Sequence, residues 1–445
     1  MKFLKEYPAY KDSGVEWLGE IPEQWEVKKL KWLFSAMGSG TTPSSSNESY
    51  YGEGLPWINT GDFNDDFINE IPKSVTEKAL KDHSVLKIYP VGTLLVALYG
   101  ATIGKLGILT KPCTINQACF AMGKPLGIDT KFVFYWFLGN RNNIIAMSYG
   151  GGQPNISGNT IRNLRLTVPP ATEQQAIADF LDRRTGAIDK LIGKKERVIE
   201  LLREKRTAII SHAVTKGLDP DAKMKDSRID WLGEIPEHWE IKRLRHLIKG
   251  ALANGLFKKK EYFGTGVKLV NVFDIYRDDF LVDIDSLERV DANEGEIKNY
   301  AVESGDIFFV RSSLKLEGIG KSVCIFDVAE PTVFECHVVR ARPNTDQILP
   351  AFLINYLNST ITTSRLISLA NMVTMTTLDQ IKIKDIEVAV PPIVEQVAIA
   401  KYLKQEYFKT ATLICKVTEA IEKLKEYRTA LISAAVTGKI DVREV

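Results

Sequence analysis

The chain has little cysteine and no pattern in what it has: Cys113, Cys119, Cys324, Cys336 and Cys415 form no CxxC pair and are scattered along 445 residues. That excludes a disulfide framework or a zinc finger as the organising device and points to buried thiols. Long apolar runs are also missing. The uncharged stretch 88–104 is interrupted by Pro90 and several glycines and is too short to span a bilayer, so no membrane segment is expected. No basic segment followed by an apolar core stands at Met1, which makes the cytoplasm the expected location. Neither sign of charge dominates: 58 Lys and Arg against 56 Asp and Glu leave a net charge of +2, and composition alone makes no case for nucleic acid. Hydrophobic content of 44% with 26% charged residues is that of a soluble globular protein long enough for two or more domains.

Catalytic motifs are equally scarce. Gly100–Lys105 (GATIGK) is one residue short of a phosphate loop and is followed by Leu106, so it reads as a turn at a strand edge. Asp221 and Lys223 follow Pro220 as in nuclease carboxylate-lysine pairs, but they lie in a polar linker. The histidines at 83, 212, 238, 246 and 337 form no i, i+4 pair, and no metal site is expected. There is no GxSxG, no GxGxxG and no methyltransferase-type NPPY tetrapeptide, so the chain is not expected to be an enzyme by itself.

What the chain does have is itself, twice. Residues 12–30 (DSGVEWLGEIPEQWEVKKL) return at 226–244 (DSRIDWLGEIPEHWEIKRL), identical at 13 of 19 positions. Residues 168–215 return, without a gap, at 390–437 with 24 of 48 identities, including VPP, EQ, AIA and RTA. The intervening inserts, 31–167 and 245–389, share only scattered glycines and strand-like runs. A duplicated frame carrying two unlike inserts is suited to presenting two unlike binding surfaces.

The C-terminal edge of each repeat predicts a long helix. Thr172 with Gln175 has capping-box spacing, and Leu181, Ile188, Leu202 and Ile209 recur at heptad intervals broken at Lys195. Leu191, Ile192, Val198 and Ile199 lie alongside. In the second copy the register gives Leu403, Val417, Leu424 and Leu431, with Thr410 as its weak point. Two such helices of about 40 residues cannot stay solvated alone; packed about a pseudo-two-fold axis they run antiparallel. The inserts read as mixed α/β. Strands are expected at 94–98, 108–109, 164–168, 268–272, 307–310, 323–326 and 333–340, and helices at 130–138 and 350–358, each followed by a continuation or a second helix at 140–147 and 360–370. The polar loops between them, among them 99–105, 150–160, 254–266 and 311–321, are where specificity is normally carried. Trp17, Trp25, Trp231 and Trp239 belong to the repeated frame and read as packing anchors.

The order insert, VPPxxEQxAIA-helix, WLGEIPExWE, insert, VPPxxEQxAIA-helix resembles the specificity subunits of type I restriction-modification enzymes over essentially the whole chain. The resemblance implies an α+β chain of two target-recognition domains (1–170 and 217–392, the latter with its linker) and two conserved spacer helices (171–216 and 393–445). It implies that each domain reads half of a bipartite, asymmetric double-stranded DNA site and that the helices set the spacing. Two modification (methyltransferase) subunits would methylate adenine, and restriction (helicase-nuclease) subunits would join them. AdoMet, ATP and magnesium would belong to those partners, and this chain would carry no cofactor.

Amides match adenine and guanidinium matches guanine in the major groove, whereas lysine more often holds phosphate. On that basis the candidate DNA contacts are Gln153, Asn155 and Lys105 in the first insert, and Lys258, Lys259, Lys260, Arg311, Lys315 and Lys321 in the second. One feature favours a different class, a two-headed protein scaffold: the second insert (245–392) holds 17 Lys and Arg against 20 Asp and Glu, while 31–170 holds 12 against 9.

Overall fold

The computed structural model describes residues 5–148, 154–372 and 376–443. Four helices organise it: α1 (Thr130–Gly139), α2 (Ala171–Lys216), α3 (Pro350–Leu357) and α4 (Ile393–Val436). The chain divides into two compact units, Met1–Lys195 with Glu419–Val445, and Glu196–Thr418, so each long helix contributes to both.

In the first unit, Ile177, Phe180, Leu181 and Ile188 from the start of α2 share a core with Leu431, Ile432, Ala435 and Val436 from the end of α4. Arg428 pairs with Asp189 at 2.9 Å on the rim of that contact. In the second unit it is the end of α2 (Ile210, Ala213, Val214) that packs with the start of α4 (Ile399, Leu403). Start against end in both units makes the helices antiparallel, as the duplication predicts. Thr410, the apparent weak point of the stripe, is buried. The apolar surface of the helices is wider than this seam: Leu191, Val198, Leu201, Val394, Val397, Phe408 and Leu413 are 43–81% exposed.

The helix start differs from the Thr172–Gln175 expectation. Helix α2 begins at Ala171, directly after Pro170, whose carbonyl accepts the N–H groups of Glu173 and Gln174, and Gln175 turns instead to Asp179. Proline fixes the entry backbone without needing a side-chain cap, and Pro392 does the same for Glu395 and Gln396.

The EQ pair that follows ties the frame together, in the same way in both units. Glu173 accepts the indole N–H of Trp25 at 3.0 Å and the Tyr7 hydroxyl; Glu395 accepts the Trp239 indole at 3.0 Å and lies 2.6 Å from His238 Nε2. Gln174 Oε1 accepts the N–H of Asp129 (2.7 Å), the residue capping α1, while its Nε2 donates to Pro169 O (2.8 Å). Gln396 Oε1 accepts the N–H of Leu349 (2.7 Å), the residue before α3, and its Nε2 donates to Pro391 O and Gln347 O. Both glutamines are buried, as are Trp25 and Trp239, in line with the anchor reading; Trp17 is half-buried and stacks edge-on to Trp136. Strand 26–29 pairs antiparallel with 165–168, and 240–243 with 387–390, closing each frame beside its VPP segment.

The inserts differ in sequence yet share an architecture. The first carries a five-stranded sheet in the order 34–39, 119–125, 94–97, 106–109, 66–68; the second carries four strands in the order 253–254, 338–341, 307–310, 322–324. Beside each lies a three-stranded sheet whose long central strand, 51–58 or 263–270, pairs antiparallel on one side and parallel on the other. Both central strands shift register at a Gly-x-Gly, Gly52–Gly54 and Gly264–Gly266. A Cβ on Gly54 would stand 2.2 Å from Val75 O and one on Gly266 2.3 Å from Val290 O, so only glycine permits the approach. Each strand then runs into an N-x-x-D capping box, Asn59 with Asp62 and Asn271 with Asp274.

Several expected elements fall where the sequence puts them. The GATIGK segment is the turn between strands 94–97 and 106–109, and short second helices follow α1 and α3 at Arg141–Ala146 and Thr360–Ser368. Two expectations are corrected. The run 333–340 is two strands, 332–334 and 338–341, separated by a turn in which Val338 N donates to Glu335 O. The run 268–272 ends as strand at Val270, because Asn271 caps a 3-10 turn over 272–275.

Replacing Gln396 by Ala leaves the Leu349 N–H and two carbonyls unpaired in a buried site. Urea unfolding is expected to show a loss of about 2 kcal/mol or more, whereas Gln175→Ala, at an exposed position, stays within about 0.5 kcal/mol. Burial pushes the Asp274 carboxyl up to about 6, partly offset by the Asn271 N–H it accepts. The folded chain thus holds this proton more tightly than the unfolded chain, and the contribution of Asp274 to stability falls as pH rises from about 4 through 6. Thermal midpoints measured across that window should fall less steeply in Asp274→Asn, which keeps the cap acceptor; identical slopes would contradict this.

Candidate nucleic-acid interface

In the first unit, the end of strand 94–97 gathers two of the candidate contacts. Ile156 N donates to Leu98 O at 2.8 Å, and Tyr99 forms a bridge with Asn155, so Asn155 is held against the segment that leads into the 100–105 turn. That turn is closed by Gly104 N donating to Ala97 O and by Ala97 N donating to Lys105 O. Asn155 and Lys105 are both exposed. Arg141 nearby is occupied, its guanidinium binding both carboxylate oxygens of Asp65 at 2.5 and 3.0 Å. Gln153 lies outside the described residues.

In the second unit, the corresponding strand 307–310 leads into 311–321. Arg311 is fixed through its backbone, donating to His337 O and accepting from Leu378 N. Ser313 Oγ donates to Lys315 O and accepts from Lys315 N, which sets the Lys315 backbone. A groove of about 510 Å³ follows, lined by Val272, Tyr276, Ser313, Lys315, Lys321 and His337. Lys321 Nζ stands 5.6 Å from the Tyr276 ring centroid, within cation–π range. A smaller cavity of about 160 Å³ shares His337 and is lined by Phe257, Lys258, Phe263, Asn271 and Glu335. The fold therefore brings Lys258, Lys315 and Lys321, distant in sequence, to neighbouring hollows.

The lysine triplet is not uniform. Lys258 lies over the Tyr262 ring and pairs with Glu296 at 2.8 Å, which holds the Glu296 carboxyl below its usual range. Lys259 and Lys260 are exposed, and among the described residues neither they nor Lys315 and Lys321 lie within ion-pair distance of a carboxylate. Part of the acidic charge of this insert is held in internal ion pairs. Asp306 is fully buried against Arg342, which also takes Glu303; Glu330 binds Lys268 and Arg289, whose hydrogen bonds lower its pKa. Outward on this surface stand Lys259, Lys260, Lys315 and Lys321, with Glu261 and Glu317 among them, interleaved with exposed rings: Phe257 (73%), Tyr262, Phe263, Phe273 and Tyr276. Sequence reasoning singled out the lysines and not these rings. The run Phe257–Phe263 (FKKKEYF) contained the signal, aromatics alternating with a basic cluster. Geometrically this surface can hold a polyanion and offer apolar faces to bases or sugars.

The family model for the type I restriction modification DNA specificity domain matches residues 22–201 and 236–423. The MjaIX specificity subunit of Methanocaldococcus jannaschii is 27% identical, with 96% of each chain covered. The EcoKI specificity subunit of Escherichia coli is 22% identical over 95% of this chain and 90% of that one. Among solved structures, a chain from a type I R-M system superposes with a TM-score of 0.72 at 14% identity, covering 94% of this chain and 99% of its own. The HsdS subunit from Thermoanaerobacter tengcongensis gives 0.52 at 14% identity, covering 94% and 98%. The family match spans both inserts whole and the greater part of both copies of the frame, and the chain belongs to the family of type I restriction-modification DNA specificity subunits.

Proposed function

We propose that the chain is the non-catalytic address of a type I restriction-modification complex, reading a bipartite, asymmetric double-stranded DNA site through its two inserts. The observation that carries this is one architecture bearing two unlike sets of loops: Asn155 and Lys105 on the first, Lys259, Lys260, Arg311, Lys315 and Lys321 with exposed rings on the second. In this reading 1–170 and 217–392 are the target-recognition domains, while 171–216 and 393–445 are the spacer elements. Lys258 takes part as a support for the basic loop, since its charge is already matched by Glu296. Gln153 stays a candidate by its residue type and by the loop it shares with Asn155.

The partners follow from the helices. Val394, Val397, Phe408 and Leu413 on α4, with Leu191, Val198 and Leu201 on α2, expose more apolar surface than their mutual seam uses, and apolar patches of this kind mark subunit interfaces. Two modification subunits would cover them and methylate adenine, with restriction subunits added to the assembly; AdoMet, ATP and magnesium would be theirs. Among the described residues no helix is long and apolar enough to cross a membrane, and a cytoplasmic complex acting on chromosomal DNA is the setting that suits such a subunit. A two-headed protein scaffold is the alternative reading: ion pairing takes cations as well as carboxylates, so the second insert keeps its acidic excess.

Replacing residues 31–167 by the insert of a related specificity subunit, in a strain supplying the modification subunit, is expected to change one half of the methylated sequence only. Methylome sequencing reads this out, and alteration of both halves would mean that the inserts are not independent readers. For the assembled complex, Lys315→Ala with Lys321→Ala should weaken binding to specific and random DNA alike and flatten the log K against log salt slope by about 1.8, at about 0.9 per phosphate contact. An unchanged slope would remove these lysines from the phosphate-binding set.

A further inference from the structure

The turn that splits 332–334 from 338–341 carries three consecutive side chains of metal-binding type, Glu335, Cys336 and His337, with a carboxylate oxygen, the thiol sulfur and an imidazole nitrogen all within 4.8 Å of one another. The same turn exists in the first insert. There Ile115 pairs with Ile58 as Phe334 does with Val270, and Asn116, Gln117 and Ala118 occupy the three positions. Asn116 Oδ1 accepts the N–H groups of Ala118 and Cys119, both at 3.1 Å, which is all that the turn requires. In the second insert Glu335 Oε2 performs that task, accepting His337 N at 2.8 Å. Glu335 Oε1 is surplus to the turn, and it is buried with no hydrogen-bond partner among the described residues. A buried acceptor left without a partner is costly. Beside it lie the Cys336 sulfur and the His337 ring on the wall of the 160 Å³ cavity.

We propose that Glu335, Cys336 and His337 bind a single divalent transition-metal ion of zinc type, through Oε1, Sγ and one imidazole nitrogen, leaving a fourth position open to water. Mixed oxygen, sulfur and nitrogen donors suit zinc, whose bonds of about 2.0–2.3 Å place tetrahedral ligands about 3.4–3.7 Å apart. Rotation of three side chains on one turn closes the remaining gap without moving the strands. Bound there, the ion would rigidify the turn and add positive charge between the hollows that hold Lys258, Lys315 and Lys321. The first insert, with Asn, Gln and Ala at these positions, would have no counterpart. The site is independent of which DNA the chain reads.

The test uses the full chain, stripped with chelator and titrated with cobalt(II). One equivalent is expected to produce a thiolate-to-cobalt charge-transfer band that zinc bleaches. Cys336→Ser should abolish the band, and Cys415→Ser, removing an exposed thiol where Cys336 is half-buried, should leave it intact. His337→Ala and Glu335→Gln should weaken cobalt binding by at least about tenfold, since even outer-shell changes cost about 10–100-fold. Far-UV circular dichroism checks that each variant is folded. The thermal midpoint of the parent chain should rise with zinc, and that of His337→Ala should not. Absence of the band at one equivalent, its survival in Cys336→Ser, or unchanged affinity in His337→Ala would overturn the proposal.

Discussion

Two buried glutamine side chains determine how this molecule can be built. Gln174 and Gln396 each use both ends of the amide, the oxygen on the N–H that opens an insert helix and the nitrogen on a proline carbonyl at the end of the insert's last strand. In a dry site each bond is strengthened by low dielectric and each omission is expensive. The adjoining Glu173 and Glu395 pin Trp25 and Trp239 to the same helix starts. The insert is thus gripped at the start of its helix and where it returns to the frame. Because the grip is on backbone N–H groups, it accepts Asp129 in one unit and Leu349 in the other. Side chains of that helix also meet the frame, Phe132 against Trp25 and Phe352 against Trp239, which leaves the loops beyond it free to diverge while the frames repeat.

That division also decides what could be read from the sequence. The frame was legible because it is written twice, and its helices because their apolar stripes are long. The cap of α2 was misjudged: Thr172 and Gln175 have the right spacing, but Pro170 already fixes the entry, and the Gln175 amide turns to Asp179 instead. The break at 335–337 was invisible since Glu, Cys and His carry no turn signal and lie between β-branched and aromatic residues. The common architecture of the inserts was present in the Gly-x-Gly and N-x-x-D pairs, which share one offset of 212 residues, yet that offset differs from the 214 and 222 of the two frame segments, so a comparison anchored on the frame passes over them. The lysines were found by residue type alone. Their aromatic neighbours were not, because Phe257 or Tyr276 is indistinguishable from a core residue until burial is known, and burial is a tertiary property.

Charge illustrates the same point at a larger scale. An insert with three more acidic than basic residues looks a poor partner for a polyanion. Matching Asp306, Glu303, Glu330 and Glu296 to Arg342, Lys268, Arg289 and Lys258 removes four of each sign and leaves the excess of three, so what suits a polyanion is where the unpaired lysines stand and not the balance. Buried or half-buried pairs are weakly screened and stay paired, so they contribute little field outside. The outward lysines act over a Debye length of about 10 Å at 0.1 M salt, and within that range local arrangement outweighs the total.

The loops proposed to touch DNA are short and tied down: Asn155 by the bridge to Tyr99, Arg311 between His337 and Leu378, Lys315 by the Ser313 hydroxyl. Binding to DNA orders side chains at a cost of about 0.5–1.5 kcal/mol each when they are free to rotate. A loop whose backbone is already fixed loses less on binding and presents its donors at defined positions, as discrimination of about 1–3 kcal/mol per base contact requires. In each case the fixing bonds come from main-chain groups or a serine hydroxyl and not from the basic or amide side chain that would touch DNA. A new sequence preference can therefore arise by replacing that side chain alone, with the turn that carries it unchanged.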